Sequence, residues 1–350
     1  MNKSVADFDK KMGIPPVCTD GIVFHDVAAA PFELTGFAWF AQDHLFRRLP
    51  LHPGVPLTEA VDFLANCTAG GKVRFSTDSP RILIRAQRGD FDQSDTMPYL
   101  GRAGFDLYEG EPGREKLVSV IRANPEQSLI TCNFQGVVSD GKMRTYTLYF
   151  PLYKSVSSVE IGLAENITLT APPPLDGTAN SIVVYGTSIT QGGCASRPGM
   201  CYTNILSRML KRHLLNFGFS GSGCGEPEVA QLLASIPGVS LFLLDFEPNT
   251  GGVYDVKLPP FIAELRKKYP VAPIIVLTRY HFSWLPVNPV LLERNRQAVI
   301  SLNDPNIHFI DGSDILGEDG LECLVDGTHA SDMAFYRMAK ALAPVIGKLL

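Results

Sequence analysis

The sequence predicts an α/β protein in two parts. A strand-rich β-sandwich or jelly-roll occupies residues 1–175, and a three-layer α/β domain with a parallel sheet occupies 176–350. Three observations carry this prediction. The first half is written in short runs of alternating polarity between turn residues, the pattern of half-buried strands. A proline-rich stretch, LTAPPPLDGTANS (169–181), then favours an extended spacer. Beyond it, unbroken apolar runs take turns with helical patterns, as strands buried on both faces and their crossover helices do.

In the first half, GKVRFSTDSPRILIRAQ (71–87) holds two alternating runs around Asp78-Ser79-Pro80. LITCNFQGVVSDGKMRTYTLYFPLY (129–153) holds two more around Asp140-Gly141, and both stretches read as hairpins. In the second half the strand candidates are 181–185, 214–217, 239–245, 273–278 and 307–310. The clearest helix lies in CYTNILSRMLKRH, where Tyr202, Ile205, Leu206, Met209 and Leu210 recur at i, i+3, i+4, i+7 and i+8. On that reading His213 ends the helix. Further helical patterns run through 226–235, 258–269 and 290–302, and a last one opens near Ser331.

With 350 residues, 45% of them hydrophobic, the chain can bury a sizeable core. Its formal charge of −5 contains no block of like sign, so the basic stripe that nucleic acid or an anionic membrane demands is missing. The seven cysteines are scattered without a C-x-x-C pair, which argues against a zinc cluster or a disulfide framework and fits a reducing compartment. The opening MNKSVADFDKKMG has no apolar run, and no stretch approaches the ~18 apolar residues of a membrane span. The expected setting is the cytoplasm, without nucleic acid, membrane, metal or cofactor, and homo-oligomerisation is left open.

SIVVYGTSITQGG (181–193) ends the first strand of the α/β domain, where parallel sheets bind ligands. A phosphate loop would need a lysine after its glycines, and a dinucleotide loop needs G-x-G-x-x-G; neither is present. The alternative is that Ser188 is a nucleophile, which requires a histidine base. LVDGTHASDMAFYRMAKAL places His329 three residues after Asp326, in a loop opening the last helix, with Ser331 able to cap it. One short turn can thus carry an imidazole and the carboxylate that orients it. Taken alone, Asp326-Gly327 is equally an ordinary turn. Donors for an oxyanion are available in NFGFSGSGCGEPE, at Gly221, and in LFLLDFEPNTGG, at the Asn249 amide. His281 follows the fourth strand in TRYHFSW and can line the site, with Glu247 a second candidate substrate contact.

These residues resemble the four blocks of the SGNH (GDSL-type) hydrolase family, with Ser188, Gly221, Asn249 and His329 in order and Asp326 completing D-x-x-H. The resemblance covers roughly residues 180–350 and implies a flavodoxin-like sheet, ester hydrolysis through an acyl-enzyme, and no metal. GRAGFDLYEG (101–110) is similar to the G-x-D-L-Y signature, Gly104 to Tyr108, of a β-domain found ahead of some SGNH hydrolases. Threonine and isoleucine flank Ser188 where the namesake motif has aspartate and leucine, and Glu247-Pro248 precede Asn249 in place of a Gly-x-Asn-Asp run. The hydroxyl and the amide survive both changes. The expected activity is a serine esterase acting on a small acyl ester, a small molecule or a carbohydrate O-acetyl group.

Two other functions fit the same sequence. An acyltransferase would use the same Ser-His-Asp set with an alcohol in place of water. A catalytically silent carbohydrate-binding protein would offer Trp39, Phe40 and Tyr108 as sugar faces. Cys194 and Cys201 flank the site and read as ordinary buried or loop thiols.

Overall fold

Alternating burial draws the first half into two antiparallel sheets. The computed structural model describes residues 7–9, 13–89, 95–124, 126–177 and 180–350. The strands of this half are β1 (Ile22–Asp26), β2 (Glu33–Thr35), β3 (Lys72–Thr77), β4 (Ile82–Arg88), β5 (Asp106–Glu109), β6 (Lys116–Val120), β7 (Leu129–Asn133), β8 (Arg144–Tyr149), β9 (Val156–Ala164) and β10 (Leu169–Thr170). One sheet runs β1-β9-β4-β7; the other runs β10-β3-β8-β5-β6, with β2 beside β3. Val73, Phe75, Leu107 and Leu148 from one sheet share a single core with Ile82, Ile84, Ile130 and Ile161 from the other. The sandwich is as expected.

The two hairpins are not. β3 and β4 lie in different sheets, and so do β7 and β8. Alternation reports which face of a strand is buried, not which strand lies beside it. At Asp78-Ser79 the chain crosses between sheets, held by Ala164 N–H donating to Ser79 Oγ at 3.0 Å and Thr168 N–H donating to Asp78 Oδ1 at 2.8 Å. Three short helices, α1 (Phe40–Asp43), α2 (Glu59–Leu64) and α3 (Tyr99–Ala103), fill the connections.

The second half is a parallel sheet of β11 (Ser181–Gly186), β12 (His213–Gly218), β13 (Val239–Asp245), β14 (Ile274–Leu277) and β15 (Ile307–Ile310), in the order β12-β11-β13-β14-β15. That is the flavodoxin-like order. The helices are α4 (Ser188–Gln191), α5 (Tyr202–Leu210), α6 (Pro227–Ser235), α7 (Tyr254–Lys268), α8 (Pro289–Ser301) and α9 (Asp332–Leu349). Period-two alternation sends Ile182 and Val184 to the face covered by α5 and α9, and Val183 and Tyr185 to the face covered by α6, α7 and α8. Three layers result, each face sealed by one helical stripe.

Three local expectations change. His213 opens β12 instead of closing α5, which stops at Leu210 with Lys211 left-handed at φ 53°. α7 starts at Tyr254 despite Pro259 and Pro260 inside it. Ser331 occupies the N-cap of α9 but makes no side-chain capping bond, while Asp332 accepts the Ser196 N–H at 2.8 Å and ties the helix to the loop after α4. Among the described residues, no helix is long and apolar enough to cross a membrane.

Buried charge joins the halves. Asp106 and Tyr108 of the G-x-D-L-Y stretch both bond Arg197 of the second half, Asp106 at 2.8 Å, and Asp106 also accepts the Gly199 N–H at 2.9 Å. Arg208 covers the Tyr108 ring, 4.4 Å from its centroid. The fully buried Arg48 donates to the carbonyls of Cys67 and Leu64 in its own half and of Gly218 across the boundary.

Candidate active site

Ser188 opens α4 directly after β11, the strand at which the sheet order reverses. A crevice forms at the carboxyl ends of strands at such a switch point. Thr187 caps the short helix, its Oγ1 accepting the Ile189 N–H at 3.2 Å, and Gly192 ends it at φ 105°. The hydroxyl is therefore presented on a fixed turn.

The loop before α9 meets it. Asp326 Oδ1 accepts the N–H groups of Thr328 at 3.0 Å and His329 at 2.8 Å, which folds the D-x-x-H stretch around its own carboxylate. Val325 N–H donates to the His329 carbonyl at 2.8 Å and closes the turn. The second oxygen, Oδ2, lies 2.7 Å from His329 Nδ1, and His329 Nε2 lies 2.9 Å from Ser188 Oγ. With Nδ1 donating to the carboxylate, Nε2 carries the lone pair that can accept the serine proton. Burial works against the charge on Asp326, but the His329 and Thr328 bonds outweigh it and hold the carboxyl below its ordinary range.

Two further loops follow β12 and β13, the strands on either side of β11. Gly221 sits at φ 65° in the turn after β12, where Phe219 O accepts the N–H groups of Ser222 and Gly223. A Cβ on Gly223 would stand 2.0 Å from the Gly186 carbonyl, so only glycine lets this loop lie against the end of β11. After β13, Asn249 Nδ2 is buried without a hydrogen-bond partner among the described residues. An orphan amide donor is costly unless something else accepts from it.

A family model for GDSL-like lipases and acylhydrolases matches residues 179–347, and a second, "N-terminus of Esterase_SGNH_hydro-type", matches 22–169. A solved structure from Bacteroides ovatus, described as a GDSL-like lipase, is 30% identical, covers 94% of this chain and 98% of its own, and superposes with a TM-score of 0.83. The chain belongs to the GDSL-like lipase/acylhydrolase family. Two more distant structures share its fold. The salicylyl-acyltransferase SsfX3 from a tetracycline biosynthetic pathway is 17% identical, with coverage of 94% and 98% and a TM-score of 0.76. A family two carbohydrate esterase from Cellvibrio japonicus is 11% identical, with the same coverages and a TM-score of 0.62. A search of curated proteins found no match.

The esterase is thus a serine ester hydrolase, and around Ser188 and His329 stand three residues the sequence does not mark out. Gln191 is buried and reaches both ways: its Oε1 accepts the Ser220 N–H at 3.0 Å and its Nε2 donates to the Leu152 carbonyl at 3.2 Å. It joins the nucleophile's helix to the Gly221 loop and to the first half. Asp245, at the end of β13, accepts the hydroxyls of Thr190 and Tyr202, each at 2.9 Å. Burial pushes its carboxyl up to about 7, opposed in part by those two bonds. Trp284 is 66% exposed, and its Nε1 donates to Thr328 Oγ1 at 2.8 Å, beside His329.

The two expected substrate contacts have partners of their own. Glu247 accepts the Arg279 N–H at 3.2 Å and pairs with its guanidinium at 3.6 Å, bracing the ends of β13 and β14. Burial raises its carboxyl, against the pull of Arg279. His281 Nδ1 accepts the Val287 N–H at 2.9 Å, and the ring lines a cavity of about 190 Å³ with Ser313, Asp314 and Leu316. The sugar-face aromatics serve packing instead: Trp39 meets Phe217 edge-on, Phe40 stacks on Phe46, and Tyr108 lies under two arginines.

Proposed function

We propose that the protein hydrolyses a short acyl ester through an acyl-enzyme on Ser188. The observation that carries this reading is the unbroken chain from Ser188 Oγ through His329 to Asp326, with contacts of 2.9 and 2.7 Å. Ser188 attacks the ester carbonyl as His329 Nε2 takes its proton, and Asp326 steadies the imidazolium. The Ser188 and Gly221 N–H groups and the Asn249 amide receive the oxyanion, which gives the orphaned Nδ2 its acceptor. His329 returns the proton to the leaving alcohol, and the alcohol departs. A water then gives its proton to His329 and attacks the acyl carbon; the bond from that carbon to Ser188 Oγ breaks as His329 hands the proton to Oγ, releasing the acid.

The substrate class we propose is an O-acetyl group on a sugar. It is supported by Trp284, a flat apolar face fixed beside the histidine loop on which a ring alcohol can pack. The residues 1–175 and 176–350 then act as supporting and catalytic domains. Turnover of a chain-length series of p-nitrophenyl esters by the wild type and by Ser188→Ala tests the reading. Acetate should be the best substrate, and every activity should vanish in the variant; full activity in the variant removes the assignment. Acceptor alcohols added to the same assay would reveal a transferase by a new ester product.

A further inference from the structure

Cys194 has no part in the hydrolytic mechanism, yet the fold carries it to the centre of the site. It follows Gly192-Gly193, six residues after Ser188, and its backbone is left-handed at φ 71°. A side chain with a Cβ holds that conformation only where its surroundings impose it. The Cys194 sulfur, one ring nitrogen of His329 and one carboxylate oxygen of Asp326 all lie within 4.8 Å of one another. Sulfur, nitrogen and oxygen in one cluster are the donor set of a zinc site with three protein ligands. Tetrahedral Zn²⁺ sets such atoms roughly 3.4–3.6 Å apart, so no pair of donors has to close by more than about 1.4 Å, and where the nitrogen is Nδ1 the 2.7 Å His329–Asp326 contact has to widen. The cluster is also reachable, since the His329 and Asp326 side chains are 28% and 25% exposed.

We propose that a thiophilic divalent cation, with Zn²⁺ the fitting example, binds Cys194, Asp326 and His329 together and switches the esterase off. The ion takes the sulfur as thiolate, whose proton passes to water, together with a lone pair of the imidazole and an oxygen of Asp326. Where the ion takes Nδ1 the His329–Asp326 hydrogen bond opens, and in either case a water completes the coordination. Whichever ring nitrogen is taken, the imidazole no longer has a lone pair for the Ser188 proton. Mg²⁺ and Ca²⁺ prefer all-oxygen surroundings and do not compete for this set. The inhibition rests on His329 being the base; the binding does not.

Two measurements test the site. In the first, p-nitrophenyl acetate hydrolysis is titrated with Zn²⁺ for wild type and Cys194→Ala. Wild type should lose activity, regain it with a chelator and ignore Mg²⁺, while Cys194→Ala keeps its metal-free rate and needs at least tenfold more Zn²⁺. Equal Zn²⁺ sensitivity of the two proteins overturns the proposal. The second measurement needs no catalysis: Co²⁺ is added to Ser188→Ala protein and thiolate-to-cobalt absorption is followed. The band should appear with one equivalent and disappear on adding His329→Ala to the variant. A missing band, or one indifferent to His329, overturns the site even if Cys194→Ala fails to fold. A His329-dependent band together with a wild type that turns over no ester would uphold the site while removing the hydrolytic reading.

Discussion

At the residue scale, Asn249 is the sharpest probe of the oxyanion assignment. Its Nδ2 is a buried donor without a partner among the described residues, so Asn249→Ala should lower kcat by about 10²–10³ with KM almost unchanged. Steady-state kinetics on p-nitrophenyl acetate measure this, and a change confined to KM would place the amide in substrate binding instead. Ser188, Asp326 and His329 were legible because each stands in a short motif whose chemistry is local. The D-x-x-H turn even carries two of its members and the backbone bonds that shape it. Gln191 and Asp245 were not legible, because what defines them is a partner elsewhere. Gln191 sits inside the nucleophile motif, but its meaning comes from Ser220 and Leu152.

At the scale of elements, strands buried on both faces announce themselves as apolar runs, and β11 to β15 fall where those runs do. The sandwich strands were also visible, but their pairing was not, since a crossing between sheets and a hairpin show the same alternation. Helix α4 depends on a support no periodicity reveals: Asp245 beneath it, bonded to Thr190 two residues past Ser188. The Asp245 carboxyl is raised from 3.8 to about 7, so across that window the unfolded chain releases a proton that the folded chain keeps. Stability attributable to this group therefore falls as pH rises. Asp245→Asn removes that dependence, so its Tm relative to wild type should climb between about pH 4 and about pH 7. A constant offset across thermal melts at several pH values would contradict the assignment.

At the scale of the whole molecule, the G-x-D-L-Y stretch works as an anchor. The Asp106 side chain is fully buried against Arg197, and the same carboxylate holds Gly199 in the loop between Ser188 and α5. Asp106→Ala takes from the guanidinium the carboxylate paired with it and leaves it the Tyr108 hydroxyl, and should destabilise the protein by about 3–5 kcal/mol, read as a lower urea midpoint. An unchanged midpoint would mean the Asp106–Arg197 pair does not hold the halves together. The motif was visible in the sequence, but its purpose was not, because Arg197 lies 91 positions away. Both halves converge on one claim, that Ser188 is the nucleophile of an ester hydrolase. The most direct test is covalent trapping: incubate the protein with a fluorophosphonate, digest it and locate the adduct by mass spectrometry. One adduct on Ser188, absent from Ser188→Ala and greatly slowed in His329→Ala, is the predicted result. An adduct on another residue, or none while ester hydrolysis continues, would contradict it.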